Sequence, residues 1–129
     1  MARDPLCLLL IEDNPADLRL MAELFEEAAP GRFRIRSAQR LADALHELRA
    51  RSYPVVLLDL SLPDASGLET IDAVRRVAPT TPLIVLSGLM DPELAERARE
   101  MGASASFAKG DETITDIIDA ISRFTSKSD

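Results

Sequence analysis

Four short apolar runs in this chain each end in a residue that can do chemistry. Leu6–Ile11 leads into Glu12 and Asp13, Val55–Leu58 into Asp59, Leu83–Leu86 into Ser87, and Ala105–Ala108 into Lys109. Runs of this length, separated by helix-like stretches, read as strands buried on both faces of a parallel sheet. Such sheets bind ligands outside the carboxyl ends of their strands. Acids, hydroxyl and lysine scattered between residues 12 and 109 are therefore expected on one rim.

The rest of the chain fits that frame. Asn14-Pro15 opens a helix, with Asn as N-cap and Pro tolerated in the first turn, and Leu18, Met21, Phe25 and Ala28 form its apolar face. Pro30-Gly31 stops it. Phe33, Ile35 and Ser37 alternate with Arg34 and Arg36, as expected of an edge strand exposed on one face. Leu41, Leu45 and Leu48 mark a second helix ending near Ser52, and Val55–Asp59 is the third strand. Leu62–Gly67 reads as a turn-rich loop, and Ser66 with Glu69 fits a capping box for the third helix. Asp91-Pro92 repeats the cap-plus-proline start, with Leu94, Ala98 and Met101 toward the core and Gly102 as the stop. After the last strand, Ala105–Lys109, a clean helical stripe runs through Ile114, Ile117, Ile118, Ile121 and Phe124. Strand and helix alternate five times, which implies a parallel sheet covered on both faces.

Composition narrows the function. A chain of 129 residues is most simply one domain, with a core over about 6–124 and a polar tail at 125–129. The formal charge of −7 opposes direct nucleic-acid binding, which needs clustered Lys and Arg. The single cysteine, Cys7, lies inside the first apolar run and is expected to be a buried small hydrophobe. No signal-peptide pattern is present, and no apolar run reaches the ~18 residues of a membrane span. A soluble cytoplasmic protein without membrane contact is expected. Thirteen basic residues are Arg and two are Lys, one of them Lys127 in the tail. Lys109 is thus the one lysine of the expected folded body, placed where a compact point charge is useful.

Three carboxylates gathered at one rim, Glu12, Asp13 and Asp59, would repel each other, and a divalent cation resolves that conflict. Carboxylates, a carbonyl and waters describe a Mg²⁺ site. Asp59 is then a candidate nucleophile toward phosphorus, while Lys109 and the Ser87 hydroxyl contact phosphate oxygens. Gly88 keeps the approach open. Each motif alone has an ordinary reading as a polar loop, a turn cap or a solvated charge. None of those explains why all four end different strands.

Glu12-Asp13, Val55-Val56-Leu57-Leu58-Asp59, Leu62-Pro63-Asp64, Ser87-Gly88 and Lys109 together resemble the receiver domain of bacterial response regulators. The resemblance runs from about Leu6 to Phe124. It implies a flavodoxin-like (βα)5 sheet of strand order 2-1-3-4-5. It further implies that Asp59 is the phosphoacceptor, served by a histidine kinase or histidine phosphotransfer protein. Glu12, Asp13, Asp59 and the carbonyl of Ser61 would hold Mg²⁺, Ser87 would be the switch hydroxyl, and Lys109 the phosphate-contacting lysine. The face made by the fourth helix, fifth strand and fifth helix would carry output, through an effector domain or a homodimer, with Arg97, Arg99, Glu100, Asp116, Asp119 and Arg123 available. Such a module is a switch and not a conventional enzyme.

Two positions depart from the pattern. Ser106 stands where the family often has an aromatic switch residue. The neighbouring Phe107 should point to the opposite face of the strand and join the core. Gly110 stands where many receivers have proline, so the often cis junction is expected to be trans or strained here. The alternative reading is a receiver-fold interaction module with weakened or absent phosphorylation-driven switching. A haloacid-dehalogenase-like phosphatase would need an acid at Ser61, and a flavin phosphate would be repelled by Glu12-Asp13.

Overall fold

The computed structural model describes residues 4–60, 62 and 67–125. Among them, β1 (Leu6–Ile11), β2 (Phe33–Ala38), β3 (Val55–Asp59), β4 (Leu83–Ser87) and β5 (Ala105–Ala108) alternate with α1 (Pro15–Ala28), α2 (Leu41–Ala50), α3 (Glu69–Val77), α4 (Pro92–Glu100) and α5 (Ile114–Thr125). All paired strands are parallel, in the order β2-β1-β3-β4-β5. This is the flavodoxin-like fold expected from the alternation, and β2 is at the edge as its charged face requires.

The period-2 alternation of each strand divides the core into two layers. Leu9, Ile11, Val56, Leu58, Leu83 and Val85 face α2, α3 and α4. Leu8, Leu10, Val55, Leu57, Ile84 and Leu86 face α1 and α5. The central β3 is buried along its whole length, including its terminal Asp59. Phe107 packs with the α1/α5 layer, as its parity demands. Ser106 therefore points the other way, toward α4, where it helps line a groove of about 220 Å³ with Pro92, Ala95, Glu96, Arg99 and Ser104.

Helix ends follow local chemistry. The Asn14 carboxamide oxygen accepts the N–H groups of Ala16 and Asp17, and the Asp91 carboxylate accepts that of Leu94; both caps precede a proline. Gly102, with φ of +117°, lets the chain leave α4. The third helix starts behind Leu68, which makes no side-chain cap, and Ser66 of the expected capping box lies outside the described residues. Several apolar positions fall differently from the sequence reading. Ala28 is exposed and Ala29 buried, because the stripe Met21–Phe25 continues by four residues past the helix end. Met101 caps α4 and is exposed, its place in the core taken by Ala103. Cys7 is only half-buried, near the open start of β1, and Ser37 is exposed where β2 alternation gives way to buried Ala38.

At the rim opposite the strand carboxyl ends, Arg75 of α3 ties two connections together. Its guanidinium donates to the carbonyls of Ala78 (3.0 Å), Thr81 (2.6 Å) and Gly102 (2.8 Å). Beside the sheet, the buried Tyr53 hydroxyl donates to the Glu47 carboxylate, which also pairs with Arg36 and Arg51. Burial and the Glu47 contact push the Tyr53 phenol up to about 12. The unfolded chain releases that proton near 10, so the folded state holds more protons between pH 10 and 12 and stability falls as pH rises through that window. We expect Tyr53→Phe to cost about 1 kcal/mol at neutral pH and to flatten the decline between pH 10 and 12. Urea denaturation followed by circular dichroism at several pH values checks both.

Candidate functional site

The carboxyl ends of β1, β3, β4 and β5 converge where strand order reverses around β1. Glu12 keeps the parity of Leu8 and Leu10, Asp59 that of Val55 and Leu57, and Lys109 that of Ala105 and Phe107. All three side chains consequently emerge on the α1/α5 side of the sheet. Glu12 and Asp59 are almost fully buried, 1% and 4% exposed.

Lys109 organises these acids. Its Nζ lies 2.7 Å from Glu12 Oε1, 2.8 Å from Asp17 Oδ2 and 3.5 Å from Asp59 Oδ2. An ammonium has three N–H donors and no acceptor, so three carboxylates exhaust it. Burial by itself would pull the Lys109 ammonium down, but hydrogen bonds to Asp17 and Glu12 and the charge of Asp59 outweigh it and hold it above the ordinary lysine range. Glu12 moves the same way for a different reason: burial pushes its carboxyl up, against the pull of Lys109 and of the Asn14 N–H on Oε2.

Glu12, Asp13 and Asp59 each bring one carboxylate oxygen within 4.8 Å of the other two. Together with Asp17 they set four carboxylates against one ammonium, a formal surplus of three negative charges when all are ionised. Hard oxygen donors in anionic excess, already poorly hydrated, suit a divalent cation of the Mg²⁺ or Ca²⁺ type. The acidic cluster therefore fits a metal ion. The Ser61 carbonyl, the fourth ligand expected from sequence, lies outside the described residues.

Ser87 ends β4 beside this cluster, its neighbour Leu86 in register with Asp59. Its hydroxyl oxygen accepts the Leu89 N–H at 3.3 Å, and its carbonyl accepts the Lys109 N–H at 3.0 Å. Leu89 itself is 87% exposed at the mouth of the site. Beyond Lys109, Gly110 adopts φ +149° and ψ 167°, a conformation open essentially only to glycine. The Lys109–Gly110 bond is trans, since no cis peptide occurs among the described residues. Proline, fixed near φ −65°, could not take this conformation.

Sequence reasoning missed Asp17. An acid in the first turn of a helix reads as a favourable interaction with the helix dipole. The available signal was its distance of four residues from Asp13, one helical turn into an element that begins at the same rim.

Among the described residues no helix is long and apolar enough to cross a membrane. The chain matches the response regulator receiver domain family over residues 8–122. It belongs to that family, a class of signalling domain of two-component systems. Its relatives include the acid tolerance regulatory protein ActR of Rhizobium meliloti, 32% identical over 102 residues covering 79% of this chain and 51% of ActR. The chain thus spans about half the length of that relative. A CheY-like receiver domain protein from Methanospirillum hungatei JF-1 superposes with a TM-score of 0.78 at 18% identity, covering 96% of this chain and 99% of its own. A response regulator from Burkholderia pseudomallei, solved with a phosphorylated aspartic acid, a calcium ion and citrate, gives 0.75 at 26% identity, covering 90% of this chain and 66% of its own.

Lys109→Met removes the ammonium that three carboxylates share. We expect the metal-free protein to lose about 3 kcal/mol and its stabilisation by Mg²⁺ to exceed that of the wild type, as calorimetric melting with and without Mg²⁺ would reveal. Gly110→Ala should cost about 1–3 kcal/mol through backbone strain, read as a lower urea midpoint at unchanged slope.

Proposed function

We propose that the chain accepts a phosphoryl group on Asp59 in a Mg²⁺-dependent reaction and acts as a signalling switch. The observation that carries this reading is the shared contact of Lys109 with buried Asp59 and Glu12. A desolvated carboxylate flanked by a fixed cation is equipped to attack phosphorus and to leave its product stabilised. In the reaction an Asp59 oxygen bonds to phosphorus as the phosphorus–nitrogen bond of a phosphohistidine donor breaks. The donor imidazole retains the bonding pair, and an aspartyl phosphate results. Lys109 then pairs with a phosphoryl oxygen. The Ser87 hydroxyl, which accepts the Leu89 N–H, donates its own O–H to another phosphoryl oxygen. Glu12, Asp13, Asp59 and the Ser61 carbonyl would hold Mg²⁺, which when bound neutralises phosphate charge and polarises its phosphorus–oxygen bonds. A phosphorylated aspartic acid and a calcium ion in the structure of the Burkholderia relative support this reading.

The phosphoryl donor is a histidine kinase or histidine phosphotransfer protein, which keeps the chain in the cytoplasm with its donor. Output passes through the face of α4, β5 and α5 to an effector domain or a second copy. One observation favours a weaker coupling between site and output. Ser106 leaves the groove beneath α4 without an aromatic ring, so a receiver-fold interaction module with weakened or absent phosphorylation-driven switching is the second reading.

Intact-mass analysis after incubation with acetyl phosphate and Mg²⁺ tests the phosphoacceptor reading. We expect one phosphoryl adduct, lost in Asp59→Asn and in metal-free buffer. A wild type that binds Mg²⁺ yet takes no phosphoryl group from acetyl phosphate or from a phosphorylated donor protein would leave the second reading standing.

A further inference from the structure

We propose that Asp17 is a positioning residue for Lys109, a releasable anchor that holds the ammonium toward α1 until a phosphoryl group displaces it. The inference rests on the phosphoacceptor reading above and adds a residue to it. The ammonium stands closer to Asp17 (2.8 Å) than to Asp59 (3.5 Å). Asp17 is itself fixed, in the first turn of α1 behind Pro15, with its N–H donated to the Asn14 side chain at 3.1 Å.

Exposure decides which of the three contacts yields. The side chains of Glu12 and Asp59 are 2% and 6% exposed, that of Asp17 39%. Taking the ammonium from Glu12 or Asp59 removes a counter-charge where water cannot replace it, whereas Asp17 is rehydrated on release at little cost. A phosphoryl dianion arriving at Asp59 therefore takes Lys109 from Asp17. While the anchor holds, it keeps positive charge off Asp59 and favours a cation among Glu12, Asp13 and Asp59. With Asp17 replaced by Asn, Lys109 moves fully onto Glu12 and Asp59. Cation binding then weakens, and a phosphoryl-like anion no longer competes with Asp17 for the ammonium.

The test measures Mg²⁺ affinity by calorimetry, and beryllofluoride affinity at saturating Mg²⁺ by fluorine NMR, on the full chain. Asp17→Asn is compared with wild type, with Asp17→Glu as the conservative variant. We expect opposite shifts in Asp17→Asn: Mg²⁺ weaker and beryllofluoride tighter, each by roughly three- to tenfold. Asp17→Glu should return both toward wild type. In a Lys109→Met background the Mg²⁺ effect of Asp17→Asn should shrink, since the two residues act as a pair. Parallel weakening of both ligands, no change in either, or an undiminished effect without Lys109 each overturns the proposal. A wild type that binds Mg²⁺ but neither beryllofluoride nor a phosphoryl group overturns the phosphoacceptor reading and this inference together. Normal wild-type binding with no variant contrast overturns only the role of Asp17.

Discussion

The Lys109 ammonium lies among the acids at the carboxyl rim of this sheet, and the rest of the described site is arranged around that fact. Glu12 and Asp59 are buried where the parallel strands end. Without a cation between them, like charges in poorly hydrated surroundings would force one to hold its proton. Lys109 reaches both and Asp17 with its three donors. The match is incomplete by design of the charges: one ammonium against four carboxylates leaves anionic excess for a metal ion. Of the three partners Asp17 is the most exposed, which is why the proposed release falls on it.

The two rims of the sheet use opposite strategies. At the carboxyl rim, charge is in surplus and the lysine has several alternative partners. At the other rim, the Arg75 guanidinium is spent on backbone carbonyls of Ala78, Thr81 and Gly102. Arginine suits the second task because its planar fork is preorganised and stays charged. Lysine suits the first because a compact, flexible point charge can be redistributed. Chemistry and rigidity are thus kept at separate ends of the same strands.

Between the site and the proposed output face, small residues set the character of β5. Ser106 leaves a groove under α4, and Phe107 is committed to the α1/α5 layer. The strand then exits through Gly110, whose positive φ redirects the chain just after Lys109. The lysine is therefore held by its three carboxylates and by the Lys109 N–H bond to Ser87, while the next peptide turns away.

Much of this was legible in the residues. Short apolar runs and helical stripes determined the five-strand, five-helix order, and period-2 parity placed Phe107 and Ser106 on opposite faces. The convergence of Glu12, Asp13, Asp59, Ser87 and Lys109 on one rim followed from parallel strands alone. Helix ends were less legible: Ala28 and Met101 were exposed by where α1 and α4 stop, which capping and the next turn settle together. Partners were the least legible. Asp17 looked like an ordinary first-turn acid, because sequence reveals that a residue is near a rim but not which way its helix is rotated. Only the packing of α1 against the sheet brings its carboxylate to within 2.8 Å of an ammonium ninety-two residues away. Period and polarity are properties of a local segment and survive in the sequence. The sharing of one charge among three acids depends on how separate segments dock, and only the folded chain decides it.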